Sequence, residues 1–178
     1  MHDRCANGTA LKILTLVDEF TRESLTIEVA TSLTARAVQR VLNEVVVRSG
    51  PPHYLRSDNG PEFIVQALRQ WLGHHGLQTI YLEPGHPWQH GLGESFNGKF
   101  RDECLNMQWF WSLAGAKVQI ARWRQHYNME RPHSSLGYQT PHEFAVRWQA
   151  RQQVETLTSR MSHTTGAGQS GSTIVEEA

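Results

Sequence analysis

Cysteine, charge of one sign and long apolar segments are all scarce in this chain of 178 residues. Its two cysteines, Cys5 and Cys104, form no CxxC unit, so the sequence does not indicate a disulfide-stabilised scaffold. No apolar run approaches the ~20 residues that a membrane-spanning helix needs, and no basic-then-apolar leader opens the chain. These absences favour a cytoplasmic protein of a bacterial type, without a membrane segment.

The charge balance argues mildly against a nucleic-acid-binding protein. The 17 Lys and Arg residues equal the 17 Asp and Glu residues, whereas affinity for DNA depends largely on basic side chains that displace counterions from phosphates. A modest local surplus lies between positions 99 and 131, where six basic residues face three acidic ones: Lys99, Arg101, Lys117, Arg122, Arg124 and Arg131 against Asp102, Glu103 and Glu130. We therefore expect this chain alone to hold DNA weakly.

Hydrophobic periodicity predicts an α/β domain with a mixed sheet over residues 1–150. Residues 11–17 and 25–29 read as a β-hairpin, and Thr34 is placed to cap a helix over 35–48. Further strands are expected just before Asp58 and over 77–82, and further helices over 62–75, 93–106 and 112–128. Thr140 and Glu143 form a capping box for a last helix. From 151 the composition predicts a disordered tail to 178.

Two carboxylates have contexts that suit metal-dependent chemistry on phosphodiesters. Asp58 follows a short strand and precedes the turn residues Asn59-Gly60-Pro61, which places it where open α/β sheets bind their ligands. Glu94 lies just inside a helical segment that follows a loop rich in Gly, Pro and His. A carboxylate at a strand end and another on a later helix can converge on a divalent cation, because Mg²⁺ prefers hard oxygen ligands.

Three segments of the sequence resemble the integrase-core family: LRSDNGPEF at 55–63, GESFNGKFRDECLN at 93–106 and YNMERPHSSLGYQTPHEF at 127–144. Within this family the chain is most similar to the catalytic subunits of bacterial insertion-element transposases, which are relatives of retroviral integrases, over residues 1–148. The resemblance implies a ribonuclease-H-like fold, with a mixed sheet flanked by helices. It also implies a DDE-type DNA transposase that processes the DNA ends of an insertion element and joins them to a target.

By the same resemblance, Asp58 holds one of two Mg²⁺ or Mn²⁺ ions and Glu94 holds the other, with the ions ~3.5–4 Å apart. Asn97, Lys99 and Arg101 are implied to contact DNA, although a structural salt bridge from Arg101 to Glu94 or Asp58 is the alternative. The implied partners are the element ends, the target DNA, further copies of the chain and a separate helix-turn-helix region or subunit. Such a protein would be associated with the nucleoid.

The family uses three carboxylates, and only two of them match here. Alignment places the missing Asp two positions before Met1, so we expect an N-terminally truncated and catalytically impaired transposase core. Asp3 and Asp18 are the alternative first ligands. The rival functions are a hydrolytic nuclease of the same fold and a non-catalytic remnant that binds DNA or interferes with a full-length transposase.

Several aromatic and histidine residues admit two interpretations. Five aromatic residues are expected to pack the C-terminal helices onto the sheet: Trp109, Trp111, Trp123, Tyr127 and Trp148. For Trp123 and Tyr127 the alternative is a stacking platform for nucleic acid. The Arg131-Pro132-His133-Ser134 turn either contacts phosphate or is only a rigid connection. The ten histidines lack nearby cysteines at zinc-like spacing, which favours surface or DNA contact over a zinc site.

Overall fold

A computed structural model describes residues 1–52, 54–57, 73, 78–81 and 91–165 of the chain. It contains one antiparallel sheet, in the order β1-β2-β3, and one parallel pair, β4-β5. The strands are β1 (His2–Arg4), β2 (Ala10–Val17), β3 (Ser24–Ala30), β4 (Tyr54–Ser57) and β5 (Gln78–Tyr81). The predicted hairpin is confirmed, and antiparallel and parallel pairing are both present, in two separate hydrogen-bonded groups of the described strands.

Within the described ranges, four long helices flank these strands. They are α1 (Ala35–Ser49), α2 (Gly91–Phe100), α3 (Leu113–Met129) and α4 (Pro141–Thr165). A π-helical turn, Arg101–Leu105, continues α2, and a 3₁₀ turn, Ser134–Leu136, precedes α4. The predicted cap of α1 is present, because Thr34 Oγ1 accepts a hydrogen bond from the backbone N–H of Ala37 at 3.3 Å. The helix predicted over 62–75 lies outside the described residues except for Gly73.

Strand β2 separates two hydrophobic clusters through its alternating side chains. Leu11 and Ile13 pack against α2 and α3 on one face of the sheet. Leu14 and Leu16 pack on the other face against α1, which also contacts Leu55 of β4. The strands therefore form a middle layer, with α1 on one side and α2 and α3 on the other.

The core between α2 and α3 is largely aromatic. Phe96 and Phe100 of α2 meet Trp123 and Tyr127 of α3, with ring centroids between 4.9 and 5.7 Å apart for the close pairs Phe100–Trp123, Phe96–Tyr127 and Phe96–Trp123. The prediction that Trp123 and Tyr127 are core residues is confirmed, and Tyr127 is too deeply buried to stack on a base.

Two other tryptophans do not pack as predicted. Trp109 and Trp111 are 78% and 76% exposed, because they lie in the loop before α3 rather than on a helix face that meets the sheet. Trp148 of α4 contacts Phe20 of the β2–β3 turn, with ring centroids 4.7 Å apart, and remains partly exposed.

Helix α4 begins at the predicted capping box and is longer than predicted. The backbone N–H of Thr140 donates to Glu143 Oε2 at 2.9 Å, and the N–H of Glu143 donates to Thr140 Oγ1 at 3.2 Å. The helix then continues to Thr165, since no Gly or Pro interrupts it, so residues 151–165 are helical rather than disordered. No described helix is long and apolar enough to cross a membrane.

Candidate nucleic-acid-processing site

Glu94 is presented to solvent in the first turn of α2. It forms no ion pair in the part of the chain that the structure describes, and therefore leaves both carboxylate oxygens available to a ligand. Asp58 directly follows Ser57, the last residue of β4, and lies outside the described residues. Its assignment as a metal ligand stays a prediction.

Asn97 holds the Glu94 face of α2 against the central strand of the antiparallel sheet. Its Oδ1 accepts a hydrogen bond from Thr15 Oγ1 of β2 at 3.1 Å. Because residues three apart share a helix face, this bond joins the part of α2 that carries Glu94 to β2. Asn97 thus has a positioning role that the sequence did not reveal, and its predicted contact with DNA stays a prediction.

Arg101 is exposed at the point where α2 widens into the π-helical turn. It forms no ion pair with Glu94 among the described residues, so the salt-bridge alternative with Glu94 is not observed. The π-helical turn buries Cys104 and Leu105 while Arg101 remains at the surface. The predicted contact of Arg101 with DNA stays a prediction, and its alternative pairing with Asp58 involves a residue outside the described ones.

Lys99 points to a different side of α2. It lies five residues after Glu94, which corresponds to roughly 140° around an α-helix. Its side chain lines a cavity of about 330 Å³ that we call the Arg22–Lys99 pocket, whose other lining residues are Ser95, Phe96, Tyr127, His133 and Ser135. The predicted group of DNA contacts is therefore divided between two surfaces, with Lys99 on one and Asn97 and Arg101 on the other.

His133 is the buried histidine that lines the Arg22–Lys99 pocket. It is 7% exposed, its ring meets that of Tyr127 edge-on at 5.0 Å, and its Nε2 atom has no hydrogen-bond partner. Burial, and then the positive charges of Lys99, Arg131 and Arg22, lower the pKa of His133 to about 4. The imidazole is consequently neutral at physiological pH.

The two alternative first carboxylates differ in their surroundings. Asp18 Oδ1 accepts hydrogen bonds from the N–H of Phe20 and from both the N–H and Oγ1 of Thr21, a turn arrangement that accounts for this Asp without a metal. Asp3 lies on β1 opposite Leu11 and accepts from the N–H of Arg4 at 2.7 Å. Within the described ranges no three His, Cys, Asp or Glu side chains are grouped to hold a metal ion.

Helices on both faces of a layer of strands, in which an antiparallel sheet lies beside a parallel pair, are those of a ribonuclease-H-like domain. Two family models, both described as integrase core domain, match residues 1–87 and 75–141. The chain belongs to the integrase-core family.

Relatives of the chain are proteins of bacterial insertion elements. It is 49% identical over 150 residues to the 39.2 kDa protein of insertion element IS476 from Xanthomonas euvesicatoria, covering 84% of this chain and 43% of that protein. It is 46% identical over 148 residues to the 31.7 kDa protein of IS407 from Burkholderia multivorans, covering 83% and 53%. Transposase InsD of insertion element IS2 from Escherichia coli is 29% identical over 148 residues, covering 79% and 49%. The chain spans about half the length of these curated relatives.

A solved structure shares the fold. The catalytic core domain of HTLV-2 integrase, in complex with magnesium, superposes with a TM-score of 0.59 and 18% sequence identity, covering 81% of this chain and 90% of that domain. This likeness confirms the predicted ribonuclease-H-like fold.

Proposed function

We propose that this chain is the catalytic core of an insertion-element transposase, which processes the ends of the element and joins them to target DNA. The observation that carries the proposal is Glu94, an exposed carboxylate in the first turn of α2, the helix that the bond between Asn97 and Thr15 joins to β2. This arrangement lies within a chain of the integrase-core family whose relatives belong to insertion elements.

Asp58 and Glu94 would hold Mg²⁺ or Mn²⁺. The donor set fits these metals, because both side chains offer hard carboxylate oxygens and Glu94 has no competing cation among the described residues. When bound, two such ions activate the attacking oxygen and stabilise the leaving oxygen of an in-line displacement. Asn97 keeps Glu94 in position, and Arg101 orients a DNA phosphate beside it.

The register of β1 supports the location expected for the third carboxylate. His2 pairs with Lys12 and Asp3 with Leu11, so a strand continued upstream in the same register places the position two before Met1 opposite Thr15. Directly opposed residues of antiparallel strands project to the same face. Since Thr15 bonds Asn97, a carboxylate at that upstream position would face the same side of the sheet as Glu94.

Two matched extensions test the proposal. One adds Asp-Phe directly before Met1 on a strand-forming segment, and the other adds Asn-Phe on the same segment. We expect the Asp version to cleave and join DNA ends in the presence of Mg²⁺. The rate of this reaction should be at least ~100-fold lower in the Asn version, because one metal ligand is lost. The 178-residue chain should resemble the Asn version.

The products separate the proposal from its rivals. Cleaved ends without joined products indicate a hydrolytic nuclease of the same fold. An inactive Asp extension refutes the catalytic assignment, and inhibition of an intact transposase by the 178-residue chain in co-expression then favours a non-catalytic remnant.

A further inference from the structure

Two cationic side chains from distant parts of the sequence converge on the Arg22–Lys99 pocket. Arg22 comes from the turn between β2 and β3, and Lys99 comes from α2. Two residues with hydroxyl groups, Ser95 and Ser135, also line this pocket. Cations and hydroxyl groups around one cavity match the chemistry of a phosphate, whose oxygens accept hydrogen bonds from both.

Neither cation of the pocket is neutralised by a carboxylate of the described residues. In the described ranges, no carboxylate forms an ion pair with Arg22 or Lys99, whereas the neighbouring Arg131 is paired with Glu103. Two like charges that face one cavity repel each other, and an anion between them removes that repulsion. The pocket therefore presents a net positive surface although the whole chain has a formal net charge of zero.

The backbone at Arg22 lies in the left-handed region, with a φ angle of +64°. The turn between β2 and β3 accounts for this conformation, because the N–H of Arg22 donates to the carbonyl oxygen of Asp18 at 2.9 Å. The hairpin thus holds the backbone from which the Arg22 side chain reaches the pocket.

His133 adds a polar group without adding a charge. Its Nε2 atom is buried and has no hydrogen-bond partner within the described protein, so water or a ligand must supply one. In the tautomer that carries its proton on Nε2, the neutral imidazole donates to an anion without increasing the repulsion between Arg22 and Lys99.

We propose that the Arg22–Lys99 pocket binds a phosphate group of the DNA backbone, on the side of α2 away from Glu94. The proposal rests on the proposed function, because that function makes DNA the substrate. Arg22 and Lys99 are half-buried, so the cavity opens to the surface and admits a phosphate that remains part of a longer chain. The pocket would give the core a second contact with DNA, separate from the reaction site at Glu94.

Binding of a short fluorescent DNA duplex to the 178-residue chain tests the assignment. We expect Lys99→Gln and Arg22→Asn each to weaken the affinity about 3–10-fold at low salt, and to reduce the salt dependence by about one phosphate contact. Arg36→Gln is the matched control, since it removes the same charge from an exposed position on α1, across the sheet from the pocket. It should change the affinity less than about 2-fold.

The Arg22→Asn variant also shows whether a loss of DNA affinity results from misfolding. Asn tolerates the left-handed conformation, so the variant should unfold at the same temperature as the wild type or higher while it binds DNA more weakly. Equal losses of affinity in Arg22→Asn, Lys99→Gln and Arg36→Gln would overturn the proposal.

Two further outcomes identify which idea has failed. If inorganic phosphate shifts the His133 imidazole resonance in NMR spectra but the Arg22 and Lys99 variants bind DNA normally, the pocket is a free-anion site and the backbone assignment is wrong. If those variants bind DNA normally while the Asp-extended chain still joins DNA ends, only the pocket assignment fails. A wild-type chain that binds no DNA overturns the pocket assignment, whereas the joining assay judges the proposed function separately.

Discussion

Glu94 and Lys99 are near neighbours in sequence, yet α2 directs them to different environments. Glu94 is exposed and unpaired among the described residues, while Lys99 faces a cavity beside buried His133. The physical cause is the helical repeat, which separates residues five apart by more than a quarter turn. One helix can therefore serve a metal site on one side and a phosphate site on another.

Substitution of Glu94 should remove activity without loss of stability. Glu94 makes no ion pair within the described chain, so Glu94→Gln should change the free energy of unfolding by less than about 0.5 kcal/mol. In the Asp-extended chain the same change should abolish metal-dependent end cleavage. Urea unfolding and a cleavage assay on the same preparations check this, and retained cleavage would exclude Glu94 as a ligand.

His133 should make the protein less stable in mild acid. Its pKa is lowered from 6.5 to about 4 in the folded chain, so between those pH values the unfolded chain binds more protons. This residue's contribution to stability is thus complete above about pH 6.5 and is lost as the pH falls toward 4, with a loss of about 2 kcal/mol at pH 5.

Urea unfolding at pH 7.5 and at pH 5, for the wild type and His133→Gln, measures this contribution. The variant should have a smaller difference in unfolding free energy between the two pH values. An equal difference in both proteins would show that His133 is not the titrating group.

Helix α3 anchors the edge of the sheet through side chains at its C-terminal end. Asn128 Oδ1 accepts from the N–H of Ser24 at 2.9 Å, and its Nδ2 donates to Ser24 O at 3.0 Å. Arg124 Nη1 donates to the carbonyl oxygens of Ser24 and Leu25 at 3.2 and 3.1 Å. The start of β3, and with it the turn that carries Arg22, is therefore positioned by α3.

Loss of the Asn128 amide should destabilise this junction. Asn128 is 6% exposed, so Asn128→Ala leaves the buried N–H of Ser24 without this partner, while the C=O of Ser24 keeps only its bond from Arg124; the change should lower the free energy of unfolding by about 2 kcal/mol. Gln125→Ala, at an exposed position of the same helix, is the control and should change it by less than about 0.5 kcal/mol. Thermal or urea unfolding distinguishes the two, and equal effects would contradict the anchoring role.

Local patterns predicted the elements better than the contacts between them. The β2–β3 hairpin, the Thr34 cap and the Thr140 capping box depend on neighbouring residues, so the sequence contains their cause. The Arg22–Lys99 pocket depends on how a turn, α2 and the segment before α4 meet, which no periodicity specifies. The prediction that Trp109 packs onto the sheet was wrong for the same reason. Burial of an aromatic side chain requires a covering surface, and the sequence does not show where that surface lies.

At the scale of the described molecule, ion pairs engage some of the basic side chains that could attract DNA. Glu28 is shared by Arg40, at 3.1 Å, and by Lys117, at 4.0 Å, while Arg131 pairs with Glu103. Among the described residues near α2, the cations left for a ligand are Arg22, Lys99 and Arg101. The chain therefore combines a net charge of zero with a local positive surface around one helix.

This charge distribution predicts weak DNA binding with a shallow dependence on salt. If Arg22, Lys99 and Arg101 supply the contacts, about three phosphates are neutralised, and the logarithm of the association constant should fall with a slope of about −3 against the logarithm of salt concentration. Anisotropy titrations of a duplex at several salt concentrations measure that slope. A slope steeper than about −6 would require basic residues beyond these three, because each phosphate contact contributes only about −0.9. Substitution of all three residues by Gln should bring the slope close to zero, and a residual steep slope would place the DNA on another surface of the molecule.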